Sequence, residues 1–254
     1  MSSVTGVALA LAAAWPSPPG VRAWQTLRHG GVSVSPYDQL NLADHCGDDP
    51  VAVAENRRRL RAALELPSEP GWLRQVHGVA VAALPAMGTV TADASWTAQP
   101  GVVCAVLTAD CLPVLFAAVD GSVVAAAHAG WRGLAAGVLE ATLAAMPIAP
   151  GRVQAWLGAA IGPAAFEVGP EVRAAFVSAQ PEAEAAFRPG QGDRWMADIY
   201  ALARLRLTAA GVAAVHGGNA CTMTEARGYY SFRREPRCGR MATLIWRDAT
   251  ADAR

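Results

Sequence analysis

The stretch SVVAAAHAGWRGLAAGVLEATLAAM, residues 122–146, joins a short apolar run to a longer segment rich in alanine and leucine. Residues 122–127 form a continuous apolar run, which is typical of a buried strand. In residues 134–146 the apolar side chains recur with helical spacing, which predicts a helix. A strand that leads directly into a helix favours an α/β or α+β architecture.

The connecting turn, HAGWRGL, brings an imidazole and a guanidinium to the seam between strand and helix. Gly130 and Gly133 allow a close backbone approach or a positive φ there. The helix that follows directs its free amides and positive dipole end back at the turn, which stabilises an anion. Arg132 adds a planar fork suited to phosphate or carboxylate. The turn therefore predicts an anion-binding corner beside His128, with a plain surface cation at Arg132 as the open alternative.

Further apolar runs and helical patterns alternate along the rest of the chain. The other predicted strands are residues 79–84, 102–107, 113–119, 153–157 and 241–246. The other predicted helices are residues 51–64, 170–179 and 196–210. The runs 102–107 and 113–119 lie too close together to enclose a helix, so we expect an antiparallel or bent pair. This disfavours a purely parallel, doubly wound sheet and predicts an α/β (α+β) fold with helices around a layered, mixed sheet.

The composition favours one domain with a large core. Of the 254 residues, 53% are hydrophobic and only 17% are charged. No repeat or linker divides the chain, so we expect a single catalytic domain over residues 15–248. Residues 1–14 are then a tail or edge strand, and residues 249–254 a second tail. The apolar segment 6–15 has no preceding Lys or Arg and is too short to span a bilayer, which favours a strand or tail over a targeting signal.

The charge balance and the cysteines exclude several classes of function. Lys+Arg and Asp+Glu both number 21, so no basic surface for nucleic acid is indicated. Every one of these positive residues is Arg, which excludes a Schiff-base lysine and a Walker-type lysine. The five cysteines form no CxxC pair, and an odd count favours reduced thiols in a cytoplasmic protein.

Three ligand-type side chains fall at the ends of predicted elements. His77 precedes a strand, Cys111 lies between two strands and His128 ends another. Two imidazoles and one thiolate would form a three-ligand zinc site that leaves one position open, as catalytic zinc sites do. The alternative is a small buried thiol and two histidines satisfied near the core, and the spacing alone favours that alternative.

The remaining candidates for chemistry are one carboxylate and the arginines. Asp110, next to the thiol, could act as a general base, anchor a ligating histidine or cap the local turn. Arg132 is the favoured residue for holding an anion, ahead of Arg28 in LRHGG and Arg233 in SFRRE. For each arginine, pairing with a surface carboxylate is the competing interpretation. The chain lacks GxxxxGK[ST] and GxGxxG, so no nucleotide-binding loop of those types is indicated.

A series of blocks along the chain resembles one known family. These blocks are LRHGGVSVSPYDQLNL, GDDP with ENRRRL, RQVHG, TADCLPVLF, AAHAGWRGL, LGAAIGPAAFEVG, and CTMTEARGYYSFRRE with GRMATLIW. In this order they resemble the family once called multicopper polyphenol oxidase or laccase-like, and now described as purine nucleoside phosphorylases. Members share the fold of a bacterial cytotoxic necrotizing factor catalytic domain.

The resemblance implies a zinc ion held by His77, Cys111 and His128 in a single layered domain. It implies phosphorolysis of adenosine, inosine and methylthioadenosine to base and ribose 1-phosphate, with adenosine deamination alongside. Purine nucleosides and phosphate are therefore the expected small-molecule partners. Ala164-Ala165-Phe166 replaces the Cys-Cys-Tyr of many relatives, so no role is carried over there.

Three other functions compete with this interpretation. Cys111 activated by His128 would make a cysteine hydrolase for peptides or amides, including cell-wall precursors that some relatives edit. A copper polyphenol oxidase is disfavoured, because five scattered histidines cannot supply multicopper clusters. A binding module with structural zinc would need a fourth ligand, for which Cys46, Cys104, Cys221 and Cys238 are the thiols available.

Overall fold

The computed structural model describes residues 9–248, and its elements follow the periodicity of the sequence. Its strands are β1 (Ala10–Ala12), β2 (Val21–Thr26), β3 (Leu73–Arg74), β4 (Val81–Ala83), β5 (Val90–Thr91), β6 (Ala94–Thr97), β7 (Val103–Thr108), β8 (Leu112–Ala118), β9 (Val124–Ala129), β10 (Val153–Leu157), β11 (Glu167–Val168), β12 (Phe187–Pro189), β13 (Trp195–Ala197), β14 (Ala214–Gly217) and β15 (Met241–Arg247). Its α-helices are α1 (Pro50–Ala63), α2 (Trp131–Ala136), α3 (Val138–Ala145), α4 (Pro170–Val177) and α5 (Ile199–Ala209).

Two sheets form the centre of the fold. One has the strand order β14-β10-β8-β9-β6-β4, with parallel pairs at both edges and antiparallel pairs between them. The other has the order β1-β2-β15-β7, and all its pairs are antiparallel. The expected mixed sheet and the absence of a doubly wound topology are therefore confirmed for the described residues.

Alternate side chains of the central strands face different layers. On β8, Val114 and Phe116 pack toward α3, α4 and α5, whereas Leu115 contacts the four-stranded sheet. On β7, Val106 faces the six-stranded sheet, whereas Ala105 packs with the apolar side chains of α1 on the outer side. Because both faces of β8 are covered, all of its residues are buried and its sequence is apolar throughout. The layered α/β expectation is confirmed, and the sheet layer is double.

The predicted antiparallel or bent pair takes the bent form. β7 pairs with β15 and β8 pairs with β9 and β10, so the two strands do not pair with each other. The chain instead crosses from the four-stranded to the six-stranded sheet at Asp110, whose φ is +83°. Of the two predicted alternatives, the structure has the bent one, and the crossing places the end of β7 beside the start of β8.

Local capping explains where two predicted helices differ from the observed ones. The helix predicted at residues 134–146 is two helices, α2 and α3, separated by Gly137 with a φ of +100°. The helix predicted at residues 196–210 begins only at Ile199, because the Asp198 side chain caps it by accepting from the Ala201 amide. The residues just before this cap form strand β13.

Parts of the predicted tails lie outside the described residues. The apolar N-terminal segment is a strand at Ala10–Ala12, while residues 1–8 and 249–254 are not described. Within residues 9–248, no helix is both long and apolar enough to cross a lipid bilayer. The domain boundaries stay a prediction.

We expect Gly137→Ala to lower the free energy of unfolding by about 1–3 kcal/mol, since a side chain in the left-handed region is strained. The free energy is measured by chemical denaturation. The control is Gly151→Ala, where the added Cβ would lie 3.8 Å from its nearest neighbour, the Gly211 carbonyl oxygen. A Gly137→Ala protein as stable as this control would contradict the strain.

Candidate metal centre

Three chain segments meet where the two sheets come together. β8 and β9 pair antiparallel with Pro113 opposite His128, so the start of β8 lies beside the end of β9. Cys111 immediately precedes β8 and His128 lies within β9. His77 reaches the same point from the loop after β3. Strand pairing thus joins residues that are far apart in the sequence.

The ligand atoms of these three side chains are close enough to hold one metal ion. The candidate donor atoms of His77, Cys111 and His128 all lie within 4.8 Å of one another. The Cys111 Sγ is 3.8 Å from Nε2 of His77. The imidazole rings of His77 and His128 pack edge to face, with 4.8 Å between their centroids. We define this group as the His-Cys-His cluster. In the part of the chain that the structure describes, no other such group of three ligand-type side chains converges.

A carboxylate that the sequence analysis did not single out anchors both histidines. Asp93 is fully buried, and its Oδ1 lies 2.8 Å from Nδ1 of His128. A carboxylate can only accept, so Nδ1 carries a proton, and Nε2 is the ring nitrogen left to bind a metal. The two carboxylate oxygens also accept from the backbone amides of Val76 (3.2 Å), His77 (2.9 Å) and Gly78 (2.7 Å).

The turn at His77 depends on those amide contacts. His77 has a φ of +61°, a left-handed conformation that a side chain adopts only at a cost. Three successive amides on the Asp93 carboxylate hold the backbone in that conformation. Such local strain collects at functional sites, where the surrounding structure enforces it.

The backbone at Gly130 leaves the space in front of the cluster empty. A Cβ at this position would lie 2.9 Å from Cys111 Sγ, 2.9 Å from Cδ2 of His77 and 3.6 Å from Nε2 of His128. Gly130 has a φ of −60°, so its conformation alone does not require glycine. A side chain at this position would therefore press against the Cys111 thiol and the His77 ring, which explains glycine here on steric grounds.

The charges in the cluster support one another. Burial alone would raise the pKa of the Cys111 thiol, but the charge and hydrogen bonds of His128 and His77 lower it. Burial would lower the pKa of His128, but Cys111 and Asp93 raise it. Burial opposes ionisation of Asp93, yet hydrogen bonds from His128 and the Gly78 amide lower the pKa of its carboxyl group. The thiolate form suits a metal ligand.

The cluster opens into a cavity of about 440 Å³. Its apolar wall consists of Leu107, Trp131, Ile161, Phe166, Ile199 and Phe232. Its ionisable residues outside the cluster are His45, Asp110, Arg132, Arg233 and Arg240. A concave, mostly apolar site of this size with a few convergent polar groups is typical of a small-molecule pocket.

Asp110 lies in this cavity wall, and both oxygens of its carboxylate accept hydrogen bonds from the protein. Oδ1 accepts from the Thr222 hydroxyl at 2.6 Å, and Oδ2 accepts from the Ser231 hydroxyl at 3.0 Å. Oδ2 also accepts from the backbone amide of Arg233 at 2.6 Å. Asp110 therefore ties the segment that carries Phe232 and Arg233 to the crossing between the two sheets.

The three predicted anion-binding arginines have different surroundings. Arg132 stacks on the Trp131 ring at 4.4 Å, and no described residue forms a hydrogen bond or ion pair with its guanidinium. Arg233 donates to the Glu167 carbonyl at 3.0 Å. Arg28 lies outside the cavity wall, where it pairs with Asp38 and donates to the Ala226 carbonyl at 3.2 Å.

Sequence reasoning missed Asp93, His45 and Arg240 at this site. A lone aspartate in TADASW carries no spacing signal, because its partners come from other segments. His45, in ADHCGDDP, was noted only as one of five histidines. None of the other four cysteines joins the His-Cys-His cluster, so among the described residues the group has no fourth protein donor.

Comparisons with known proteins agree with this architecture. The model of a family described as multi-copper polyphenol oxidoreductase laccase matches residues 22–248. The chain is 57% identical over 233 residues to a purine nucleoside phosphorylase of Pseudomonas aeruginosa, covering 91% of this chain and 96% of that protein. It is 56% identical over 234 residues to the purine nucleoside phosphorylase YfiH of Escherichia coli, with coverage of 91% and 96%.

Solved structures show the same fold. A Neisseria meningitidis protein superposes with a TM-score of 0.91 at 48% identity, over 95% of this chain and 100% of that one. YlmD from Geobacillus stearothermophilus superposes with a TM-score of 0.84 at 32% identity, over 90% of this chain and 92% of that one.

We expect Asp93→Asn to weaken Zn²⁺ binding about 10- to 100-fold. An amide has one acceptor oxygen instead of two, so it cannot serve the His128 ring and three backbone amides together. Affinity is measured by competition with a chromophoric chelator. The control is Asp120→Asn, whose exposed carboxylate contacts Arg152 in the turn at the opposite end of β8. Equal affinity in both variants would contradict the anchoring role of Asp93.

We expect Gly130→Ala to lower the Zn²⁺ content, because the added Cβ would lie 2.9 Å from Cys111 Sγ and from Cδ2 of His77 and would displace these side chains. The metal-free protein should lose about 1–3 kcal/mol of unfolding free energy, since such close contacts must relax. Elemental analysis measures the metal content. The control is Gly228→Ala, whose Cβ has no neighbour closer than 3.8 Å. Full metal content in Gly130→Ala would show that the ion does not lie at this cluster.

Proposed function

This chain belongs to the multi-copper polyphenol oxidoreductase laccase family, and from that membership we propose that it is a zinc-dependent purine nucleoside phosphorylase. Its substrates would be adenosine, inosine or methylthioadenosine together with phosphate, and its products the base and ribose 1-phosphate. The name of the Pseudomonas aeruginosa relative supports this activity.

One observation carries the proposal: the His-Cys-His cluster forms part of a cavity that also contains arginines and flat apolar side chains. A nucleoside phosphorylase must bind phosphate on one side of the sugar and the aromatic base on the other. Arginine suits the phosphate, and aromatic rings such as Phe166 and Phe232 suit the base. A cavity of about 440 Å³ is within the usual range for small ligands.

The donor set fits Zn²⁺ as the resident ion. His77, Cys111 and His128 would supply two imidazole nitrogens and one thiolate, a combination found in catalytic zinc sites. When bound, zinc supplies a Lewis acid to this end of the cavity. Copper also binds imidazole and thiolate, but a polyphenol oxidase needs several copper ions, and only two of the five histidines belong to the cluster.

For phosphorolysis, the residues of the chain must position phosphate at the anomeric carbon. We assign this role to Arg132, because none of its five N–H donors is used by a described residue. Trp131 holds its guanidinium plane by stacking. Arg233 is the second candidate, with its backbone fixed by Asp110. The pairing of Arg28 with Asp38 makes it the weakest of the three.

We propose that Asp110 is a positioning residue. Both of its oxygens already accept hydrogen bonds from the protein, three in all, which favours a structural role over proton transfer. Its contacts instead fix Phe232 and Arg233 relative to Cys111. Adenosine deamination at the same site would share the metal and the base-binding surface with phosphorolysis.

One observation favours a second candidate function, a cysteine hydrolase that acts on cell-wall precursors. Cys111, His128 and Asp93 have the order of nucleophile, base and orienting carboxylate. Metal content distinguishes the two functions. Purified protein without stoichiometric zinc, but with rapid alkylation of Cys111 at neutral pH, would favour the hydrolase.

The main proposal is tested by incubating the zinc-loaded protein with adenosine, inosine and methylthioadenosine, each with and without phosphate. Chromatography then separates free base, ribose 1-phosphate and deaminated nucleoside. We expect free base only when phosphate is present, and inosine from adenosine without it. No turnover of any nucleoside by zinc-containing protein would reject the proposal.

We expect Arg132→Ala to raise KM for phosphate about 10- to 100-fold, because hydrogen bonds to a charged group contribute about 1.5–3 kcal/mol. KM for the nucleoside should change little, since the guanidinium would contact only the anion. The control is Arg22→Ala, which removes an exposed arginine that pairs with Asp248. Unchanged KM for phosphate in Arg132→Ala would move the assignment to Arg233.

A further inference from the structure

We propose that His45 is the general acid that protonates N7 of the purine as the base leaves the sugar. This inference rests on the proposed phosphorolysis and adds a catalytic residue to it. A purine is a poor leaving group as an anion, so proton donation to its imidazole ring lowers the barrier. The cavity must therefore offer a side chain that can carry a proton near neutral pH.

The other ionisable groups of the cavity are committed elsewhere. His77, Cys111 and His128 form the metal cluster. The Asp110 carboxylate accepts three hydrogen bonds within the protein. Arginine in general does not serve as a proton donor in acid catalysis, so the arginines of the cavity are not candidates. Among the described residues that line this cavity, His45 is then the remaining candidate.

His45 lines the cavity beside a series of polar contacts. Its Nδ1 lies 3.5 Å from Oδ1 of Asp44, and Oδ2 of Asp44 lies 3.6 Å from the guanidinium of Arg57. Arg57 in turn stacks on the Trp72 ring at 4.5 Å. No described residue hydrogen-bonds to Nε2 of His45, whose side chain is 59% exposed. Nδ1 thus lies near a carboxylate, and Nε2 is accessible to a substrate.

The surroundings of His45 suit a purine base. The loop before α1 contacts the segment after Cys238, because the Arg240 amide donates to Asn41 Oδ1 at 2.9 Å. The Arg240 guanidinium lies 5.6 Å from the centre of the Phe232 ring, which is half exposed in the cavity. An exposed ring offers a stacking surface, and the adjacent guanidinium can donate to a purine ring acceptor.

The base and the phosphate can then occupy opposite sides of the cavity. His45 precedes α1, which covers the outer face of the four-stranded sheet. Arg132 lies in the first turn of α2, which packs against the six-stranded sheet on the other side of the molecule. The sugar would lie between them, in the order that phosphorolysis requires.

The proposed step balances in atoms and charge. An oxygen of HPO₄²⁻ forms a bond to C1′ of the sugar while the C1′–N9 bond breaks. The electron pair of that bond passes into the purine, and the proton of the His45 imidazolium moves to N7. The products are neutral base, protonated ribose 1-phosphate and neutral His45. Loss of the phosphate proton to water, and its return to His45, restores the enzyme.

The test compares inosine with 7-methylinosine, each with phosphate and the zinc-loaded protein. Methylation places a permanent positive charge on the imidazole ring of the base, so its departure needs no proton. For inosine, His45→Gln should lower kcat by about 100-fold or more, the usual contribution of a general acid. For 7-methylinosine the variant should keep the wild-type kcat. The control is His216→Gln, at a histidine on β14 that packs edge to face against Trp15.

The outcomes test the role of His45 separately from the proposed phosphorylase activity. A selective loss with inosine supports His45 as the acid. If kcat of His45→Gln falls equally with both substrates, or falls with neither, His45 is not the general acid, but the phosphorylase assignment stands. If the wild-type protein releases base from neither nucleoside, the proposed function fails and the inference fails with it.

Discussion

The carboxylate of Asp93 is the constraint on which the site depends. It lies buried at the start of β6 and accepts from the His128 ring and from three successive amides around His77. One acceptor group thus sets the tautomer of one imidazole and the backbone of the other. A buried carboxylate is costly without such partners, so its presence and the turn at His77 require each other.

The double-sheet core explains why these groups meet at all. β7 and β8 are consecutive in sequence but belong to different sheets, and the crossing between them carries Asp110 and Cys111. Pairing of β8 with β9 then brings His128 beside the thiol. Buried side chains pack against the crossing strands from both sheets. The His-Cys-His cluster is therefore supported by the packed core at this junction.

The same crossing organises the cavity. Asp110 links it to the segment with Phe232 and Arg233, while Arg240 and the loop at His45 approach from the four-stranded sheet. Arg132 approaches from the six-stranded sheet. The polar groups of the cavity thus come from separate layers of the fold, and each is positioned by contacts within its own layer. In the proposed phosphorolysis, this separation would place the anion and the base on different sides of one sugar.

The amino-acid pattern alone marked strands such as β7 and β8, because strands covered on both faces are largely apolar runs. It missed β2, β6 and β14, in which polar residues interrupt the apolar pattern. It also marked His77, Cys111 and His128, since residues of ligand type stood at element ends within blocks that resemble a known family.

The sequence did not reveal the break at Gly137, where helical periodicity continues across a left-handed residue. It could not reveal Asp93 or the position of His45, whose surroundings come from segments distant in the chain. Only tertiary structure decided those, because a hydrogen bond or a cavity wall depends on distances in space, which local residue order does not encode.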